Sequence, residues 1–390
     1  MNVLALAFSL GLGLLAATPL PIQTTPLRPV PVSQLSPQLG LDAQLWGKQS
    51  DRPRLLAALD YSLQYLQSAE AVKDYQEYTA EGKVGEGFGP ALRQRVIQSL
   101  QRFRQLVIQS KTPQQLQAAV RREFAFYQAV GKDNAGTVSF TGYYEPVYRA
   151  STVPTPDYRY PLYTLPPGFK QWSKPHPTRE QLEGQDGLQA SAGPLKGLEL
   201  VWLRDRLEAF LIQVQGSAQL QLTNGKIMTV GYAGKTDYPY TSIGQELIKD
   251  GKLKREELTL PRLLQYFKDN PQDLNTYLPR NQSFVFFRNT GGSPATGSLH
   301  IPVTPERSIA TDKTLMPPGA LAVMKTEIPY RNASGQLVKQ KVSRYAFDQD
   351  TGSAIKGPGR VDIFMGTGQQ AKARAGLING PGQLYYLLLK

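Results

Sequence analysis

The chain has no cysteine and only two histidines among its 390 residues. Disulfide staples, thiol nucleophiles and thiolate metal sites are therefore excluded. His176 and His300 are isolated from one another, and neither a metal nor a cofactor is assigned. There is no GxGxxG opening a helix, no P-loop and no GxSxG elbow. Nucleotide-dependent and serine-hydrolase chemistry lose support accordingly. Positive charge is in excess, with Lys+Arg 44 against Asp+Glu 31, yet no five basic residues are consecutive. The excess implies an acidic partner such as an anionic polysaccharide or membrane face, whereas a dedicated nucleic-acid arm is not expected. Long hydrophobic runs are also missing. The longest, Val3 to Ala17, falls short of the roughly 20 residues of a membrane span. It reads as a signal-peptide core or an N-terminal anchor covering 1–25, with the rest of the chain exported.

Proline (30) and glycine (35) are abundant, which favours short strands and many turns. Residues 26–50 read as a Pro- and Gln-rich linker. From Arg52 to Val130 the pattern is helical. Leu55, Leu56, Leu59, Leu63 and Leu66 recur at spacings of three and four, and a second helix is expected over Pro90–Gln109. Thr112, Pro113 and Gln115 mark the start of a third. After Gly136 the texture becomes β. TVSFTGYYEPVY alternates, and YPLYTL, LELVWL, AFLIQVQGSAQLQL and KIMTVGYAG read as strands. Asn224-Gly225 signals a type I′ hairpin. A helical interlude covers Ser242 to Phe267. Strands resume with SFVFFR, LHIPVT, ALAVMKTEIPY, VSRYAFDQD and VDIFMG, and the chain closes with a short helix near Gln369–Ala375 and the strand QLYYLLL.

The chemistry-bearing stretch is DQDTGSAIKGPGRVDIFMGTG, where Asp350 and Asp362 stand twelve positions apart around a Gly-rich turn holding Lys356. In VDIFM, Asp362 shares a strand face with Phe364, so partial desolvation is expected to favour its protonated form. A carboxylic acid of that kind can donate to a leaving oxygen, or it can simply bind turn amides. Asp350 before Thr-Gly suits a turn cap, and Asp312 suits a tight loop. Lys356, if close to Asp362, would argue against the acid role. Tyr143 and Tyr144 offer faces for sugar rings. Gln213, Gln215 and Ser217 fall on alternate strand positions, and Lys235 and Asp237 line a Gly-rich loop; both sets are groove candidates or ordinary wet surface.

The blocks FTGYYEP, YPLY, VWLRDRLEAFLIQVQGSAQL, VGYAGKTDYPYTSIG, NQSFVFFR, RSIATDKTLMPPG and DTGSAIKGPGRVDIFMGTG together resemble the membrane-bound lytic murein transglycosylase A family. The last resembles its three-aspartate (3D) domain, with Asp312, Asp350 and Asp362 at the aspartate positions. The resemblance implies a mainly-β fold with N-terminal helices. A double-psi β-barrel catalytic domain (51–149 plus 296–390) would carry a second, smaller inserted β-barrel domain (150–295). It further implies cleavage of the β-1,4 MurNAc–GlcNAc bond of peptidoglycan glycan strands by the muramyl C6 hydroxyl, giving 1,6-anhydro ends. Asp362 would be the single general acid/base, with Asp350 and Asp312 in support. A monomer in the periplasm or outer envelope is expected, and a cell-wall synthesis complex is a candidate partner. Two departures stand out. Ser353 replaces a common glycine, and no cysteine is present for the lipid anchor that members often carry. A non-catalytic wall-binding barrel, and a water-using muramidase with Asp237 or Glu145 as base, remain alternatives.

Overall fold

The structure is a computed structural model and describes residues 25–80, 89, 91–352 and 354–390. The expected leader, Pro90 and Ser353 lie outside the described residues. In chain order the elements begin with β1 (Leu27–Val30), α1 (Arg52–Leu66), α2 (Ala69–Ala80), α3 (Leu92–Gln109), α4 (Pro113–Glu123), β2 (Phe124–Ala129) and β3 (Val138–Glu145). Next come β4 (Val147–Ser151), β5 (Tyr160–Tyr163), α5 (Arg179–Glu183), β6 (Glu199–Leu203), α6 (Arg206–Gln215), β7 (Ser217–Leu222) and β8 (Ile227–Lys235). Then follow α7 (Ile243–Lys249), α8 (Leu260–Asp269), α9 (Leu274–Tyr277), β9 (Val285–Asn289) and β10 (Ser308–Ala310). The last are β11 (Leu321–Arg331), β12 (Leu337–Asp350), β13 (Arg360–Thr367), α10 (Gly368–Ala375) and β14 (Asn379–Leu389). Two compact units result. One contains Tyr143–Thr296 with Thr367–Gly376; the other contains the described residues up to Gly142, Gly297–Gly366 and Leu377–Lys390.

The second unit is built on an eight-stranded sheet in the order β1-β2-β14-β11-β12-β10-β13-β3. A further β14–β3 pairing closes the six strands from β14 to β3 into a ring, leaving β1 and β2 outside it, with Asn379 opposite Thr141 and Gly382 opposite Val138. β14 can serve three neighbours because its halves differ: residues 385–389 pair with β2, and 379–382 pair with β3. Gly382 permits the change of partner, since a Cβ there would lie 2.4 Å from the Lys325 carbonyl oxygen. The leucine spacing of α1 does what it predicts: Leu55, Leu59 and Leu66 are buried, each contributing about 1.5–3 kcal/mol. Thr112 caps α4, accepting from the Gln115 amide at 3.2 Å. Residues 26–50, expected as a linker, are part of this unit. Pro29 is tolerated because β1 is an edge strand, and Asp42 is wholly buried.

The expected second barrel is not present. The sheet of the first unit, β5-β6-β4-β7-β8-β9, stays open, and its edge strands meet only through one bridge, Thr164 to Phe287. Closure is unnecessary because α6 covers the apolar face, packing Ala209 and Ile212 among Ala150, Val201, Leu220 and Phe287. The stretch AFLIQVQ, expected as strand, is therefore helix. Asp205 caps it, accepting from the amides of Leu207 and Glu208 at 2.6 and 3.2 Å, and Gly216 ends it at φ +79°. The β7–β8 hairpin forms, but its turn is not type I′: only Gly225, and not Asn224, takes a positive φ. LHIPVT forms no strand.

Candidate active site

β10 is three residues long, and it organises the aspartates of the barrel unit. Ala310 pairs with Asp350 on β12 and with Asp362 on β13. Residues in register across a sheet share a face, so the two carboxylates flank a methyl group with their Cα atoms two strand spacings, about 10 Å, apart. A bulge makes this row possible. Ile309 pairs with Asp348 while the next residue, Ala310, pairs with Asp350, so Gln349 is the extra residue. Asp348 is thereby turned to the opposite face, where it is fully buried. It accepts from the hydroxyls of Thr311 (2.7 Å) and Tyr386 (2.5 Å) and pairs with Lys313.

Asp362 is only 3% exposed. Its Oδ1 accepts from the Thr141 hydroxyl and lies 3.4 Å from Arg360 Nε. Arg360 Nη2 in turn donates to Thr141 Oγ1 at 3.4 Å. Oδ2 has no partner among the described residues. Gly359 anchors the start of β13: its carbonyl accepts from the Ser139 amide at 2.8 Å, and a Cβ there would sit 2.5 Å from the Lys132 nitrogen. The cation beside Asp362 is thus Arg360, and the objection that a neighbouring lysine would have raised to the acid role falls on this arginine instead; Lys356 is exposed in the turn.

Asp350 is committed to the backbone. Its Oδ1 accepts from the amides of Ser298 and Thr351, both at 2.8 Å. Asp312, 5% exposed, accepts through Oδ1 from the Thr314 hydroxyl (2.8 Å) and amide (3.2 Å), and through Oδ2 from the Gly357 amide (2.9 Å). It ties its own loop to the turn between Asp350 and Asp362.

The remaining expected residues belong to the open-sheet unit. Tyr143 is half-buried and Tyr144 is buried; burial pushes the Tyr144 hydroxyl up to about 12. Gln213, Gln215 and Ser217 do not share a strand face, because the first two lie on α6. Gln213 turns inward, where its Oε1 accepts from Arg179 Nη2 (2.6 Å) and the Val285 amide (3.2 Å). Gln215 accepts from the Tyr144 amide at 3.4 Å, and Ser217 is buried. Lys235 Nζ donates to the carbonyls of Thr236 (3.2 Å) and Tyr238 (3.0 Å). Asp237 and His176 exchange backbone-to-side-chain hydrogen bonds at 3.0 and 3.1 Å, and the His176 amide holds the Asp237 carboxyl below its usual range. Glu145 is pushed up by burial, opposed by the Thr367 hydroxyl donating at 2.7 Å. Glu208, on α6, is raised to about 7 by burial and by Asp205, with Lys372 and Arg204 acting against the rise. Among the described residues no cluster of three or more His, Asp or Glu could hold a metal ion.

Comparison with known proteins bears on this arrangement. The model of the MltA specific insert domain matches residues 139–288, and that of the 3D domain matches 307–388. Over 263 residues the chain is 31% identical to membrane-bound lytic murein transglycosylase A of Escherichia coli strain K12, covering 67% of this chain and 68% of that protein. The chain belongs to the membrane-bound lytic murein transglycosylase A family. The Vibrio cholerae member is 30% identical over 323 residues, 82% of this chain and 83% of its own. Among solved structures, E. coli MltA with bound chitohexaose superposes with a TM-score of 0.65 at 25% identity, covering 94% of this chain and 95% of that one.

Asp312, Asp350 and Asp362 all lie within the family's 3D-domain match. Thr141 and Arg360 were passed over in the sequence. Arg360 was detectable, because it precedes Asp362 by two positions on one strand and so shares its face. Thr141 was not, because 221 residues separate it from Asp362.

Proposed function

We propose that this protein is a lytic transglycosylase that cuts the β-1,4 bond between N-acetylmuramic acid and N-acetylglucosamine in peptidoglycan, with Asp362 as the only general acid/base. Family membership supports the reaction class. The observation that carries the site is the divided carboxyl of Asp362, with Oδ1 held by Thr141 and Arg360 and Oδ2 left open. In the first step Oδ2 gives its proton to the glycosidic oxygen as the bond to the muramyl anomeric carbon breaks. In the second, the carboxylate takes the proton of the C6 hydroxyl while O6 closes on that carbon. The nucleophile is already part of the substrate, so no water needs activating. A glycosidase that uses water needs a second carboxylate as base or nucleophile. Asp350, the other acid of the row, already accepts two backbone amides through Oδ1.

In this reading 51–149 with 296–390 carries the chemistry, 150–295 supplies glycan-binding surface through the Lys235–Asp237 loop, and the half-buried Tyr143 adds to that surface from just before it, whereas the buried Tyr144 does not. Asp312, Asp350 and Lys356 shape the turn beside the acid. The protein acts as an exported monomer on the wall, and a cell-wall synthesis complex is the setting in which a partner is to be sought.

Digestion of purified murein in oxygen-18 water, followed by mass spectrometry, tests the reading. Anhydro ends without label are expected. Labelled reducing ends would make the enzyme a hydrolase, and intact glycan would leave only wall binding.

A further inference from the structure

We propose that Arg360 and Thr141 form a positioning relay that fixes the Asp362 carboxyl, so that Oδ2 alone handles the proton while Arg360 balances the charge formed when the glycosidic bond breaks. The proposal rests on the reading of Asp362 as the acid/base.

The direction of the relay follows from the donor inventory. A threonine hydroxyl has one proton, and here it is given to Asp362 Oδ1. Its lone pairs are what Arg360 Nη2 addresses, at 3.4 Å. The guanidinium stays protonated, so the polarity of the chain is fixed. Arg360 Nε is sealed from solvent and makes no hydrogen bond, although it stands 3.4 Å from Oδ1. The arginine side chain is itself only 16% exposed, and among the described residues its one ion pair is with Asp362. Arg121, Arg206 and Arg344 also leave a buried Nε without a hydrogen bond, so the unpaired donor alone does not distinguish Arg360. Its place does: Arg360 holds that donor in reserve 3.4 Å from the carboxyl of Asp362.

The reserve has a use in the first step. The Oδ2–H bond breaks and its proton passes to the glycosidic oxygen, which keeps the electron pair of the broken bond to the anomeric carbon. The negative charge left on Asp362 spreads over both oxygens, and Oδ1 then draws more strongly on Thr141 and on Nε. Preorganised donors aimed at charge that develops in the transition state accelerate a reaction without tightening ground-state binding. In the second step the C6 hydroxyl proton returns to Oδ2 and the relay resets, with no co-reactant consumed.

Turnover of purified glycan strands by R360Q, R360K, T141V and T141S tests this. R360Q should lose about tenfold to a hundredfold in kcat with KM within about twofold. R360K should recover part of the rate. T141V should lower kcat and T141S should restore it. Combined with R360Q, T141V should add little, since both act on one oxygen. A wild-type kcat in R360Q, or a change confined to KM, overturns the relay. Should R360Q fail to show a cooperative thermal transition, R360K and the two threonine variants carry the same test. D362N separates the two claims. Anhydro product from D362N sinks the acid assignment, whereas an inactive D362N beside a normal R360Q sinks only the relay.

Discussion

The barrel unit buries several acidic groups, and two of them, Asp42 and Asp362, are treated differently. Around Asp42 both carboxylate oxygens are used. Oδ1 accepts from Arg344 Nη1 at 2.7 Å, and Oδ2 accepts from Arg307 Nη1 at 2.5 Å and the Tyr345 amide at 3.1 Å. Arg307 reaches on to Asp51 at 2.7 Å, and Arg344 to Glu306 at 3.3 Å. Burial pushes the Asp42 carboxyl up, but the two arginines outweigh it and hold the group below its ordinary range. Around Asp362 only Oδ1 is engaged, by one hydroxyl and one guanidinium edge. The Asp42 cluster joins distant strands by completing its contacts. The Asp362 cluster leaves one oxygen unmatched, and that oxygen is the one the proposed proton transfer uses.

The contrast can be broken at either end. Asp362→Asn should lower kcat by about a hundredfold to ten-thousandfold while barely moving the urea midpoint, because an amide oxygen can still accept from Thr141. A large stability loss would place Asp362 with Asp42 as a structural acid. Asp42→Ala should do the reverse, costing about 3–5 kcal/mol in urea unfolding by leaving buried arginines short of a partner. Because the folded-state value of Asp42 is depressed, its stabilisation is present above the unfolded value of 3.8 and fades as pH falls through the folded one. Acid-unfolding curves of the variant should therefore lose that low-pH drop.

A smaller effect is expected in the open-sheet unit. Glu208 rises from 4.5 to about 7. The folded state then binds the extra proton between those values, so its contribution to stability declines as pH rises through that window. Glu208→Gln should flatten the decline and raise the thermal midpoint at pH 8 without changing it at pH 4. An unchanged slope would show that another group is responsible.

What could be read from the chain beforehand followed the range of the forces involved. The α1 leucines, the Thr112 cap and the Asn224-Gly225 hairpin are local, and each forms, the last with a different turn. α6 was misread because AFLIQVQ alternates like a strand, while the signals that decide it, Asp205 and Gly216, lie at its two ends. The openness of the second sheet was equally hidden, since it depends on a helix covering the face that closure would have covered. Asp362 stood out by its neighbours in VDIFM. Its row with Ala310 and Asp350 needs a bulge at Gln349 that no short-range pattern announces. The Pro-rich stretch 26–50 shows no hydrophobic period, yet its Asp42 meets arginines more than 260 residues later.

The eleven residues of β14 form the seam of the ring, touching β2, β3 and β11. During synthesis the ring cannot close until that strand has emerged, so β2, β3 and β11 wait with unpaired edges that invite mispairing. A nascent chain stopped short of Asn379 would hold nearly every residue of the enzyme and still be an unfinished object, sticky along three borders and open to proteases.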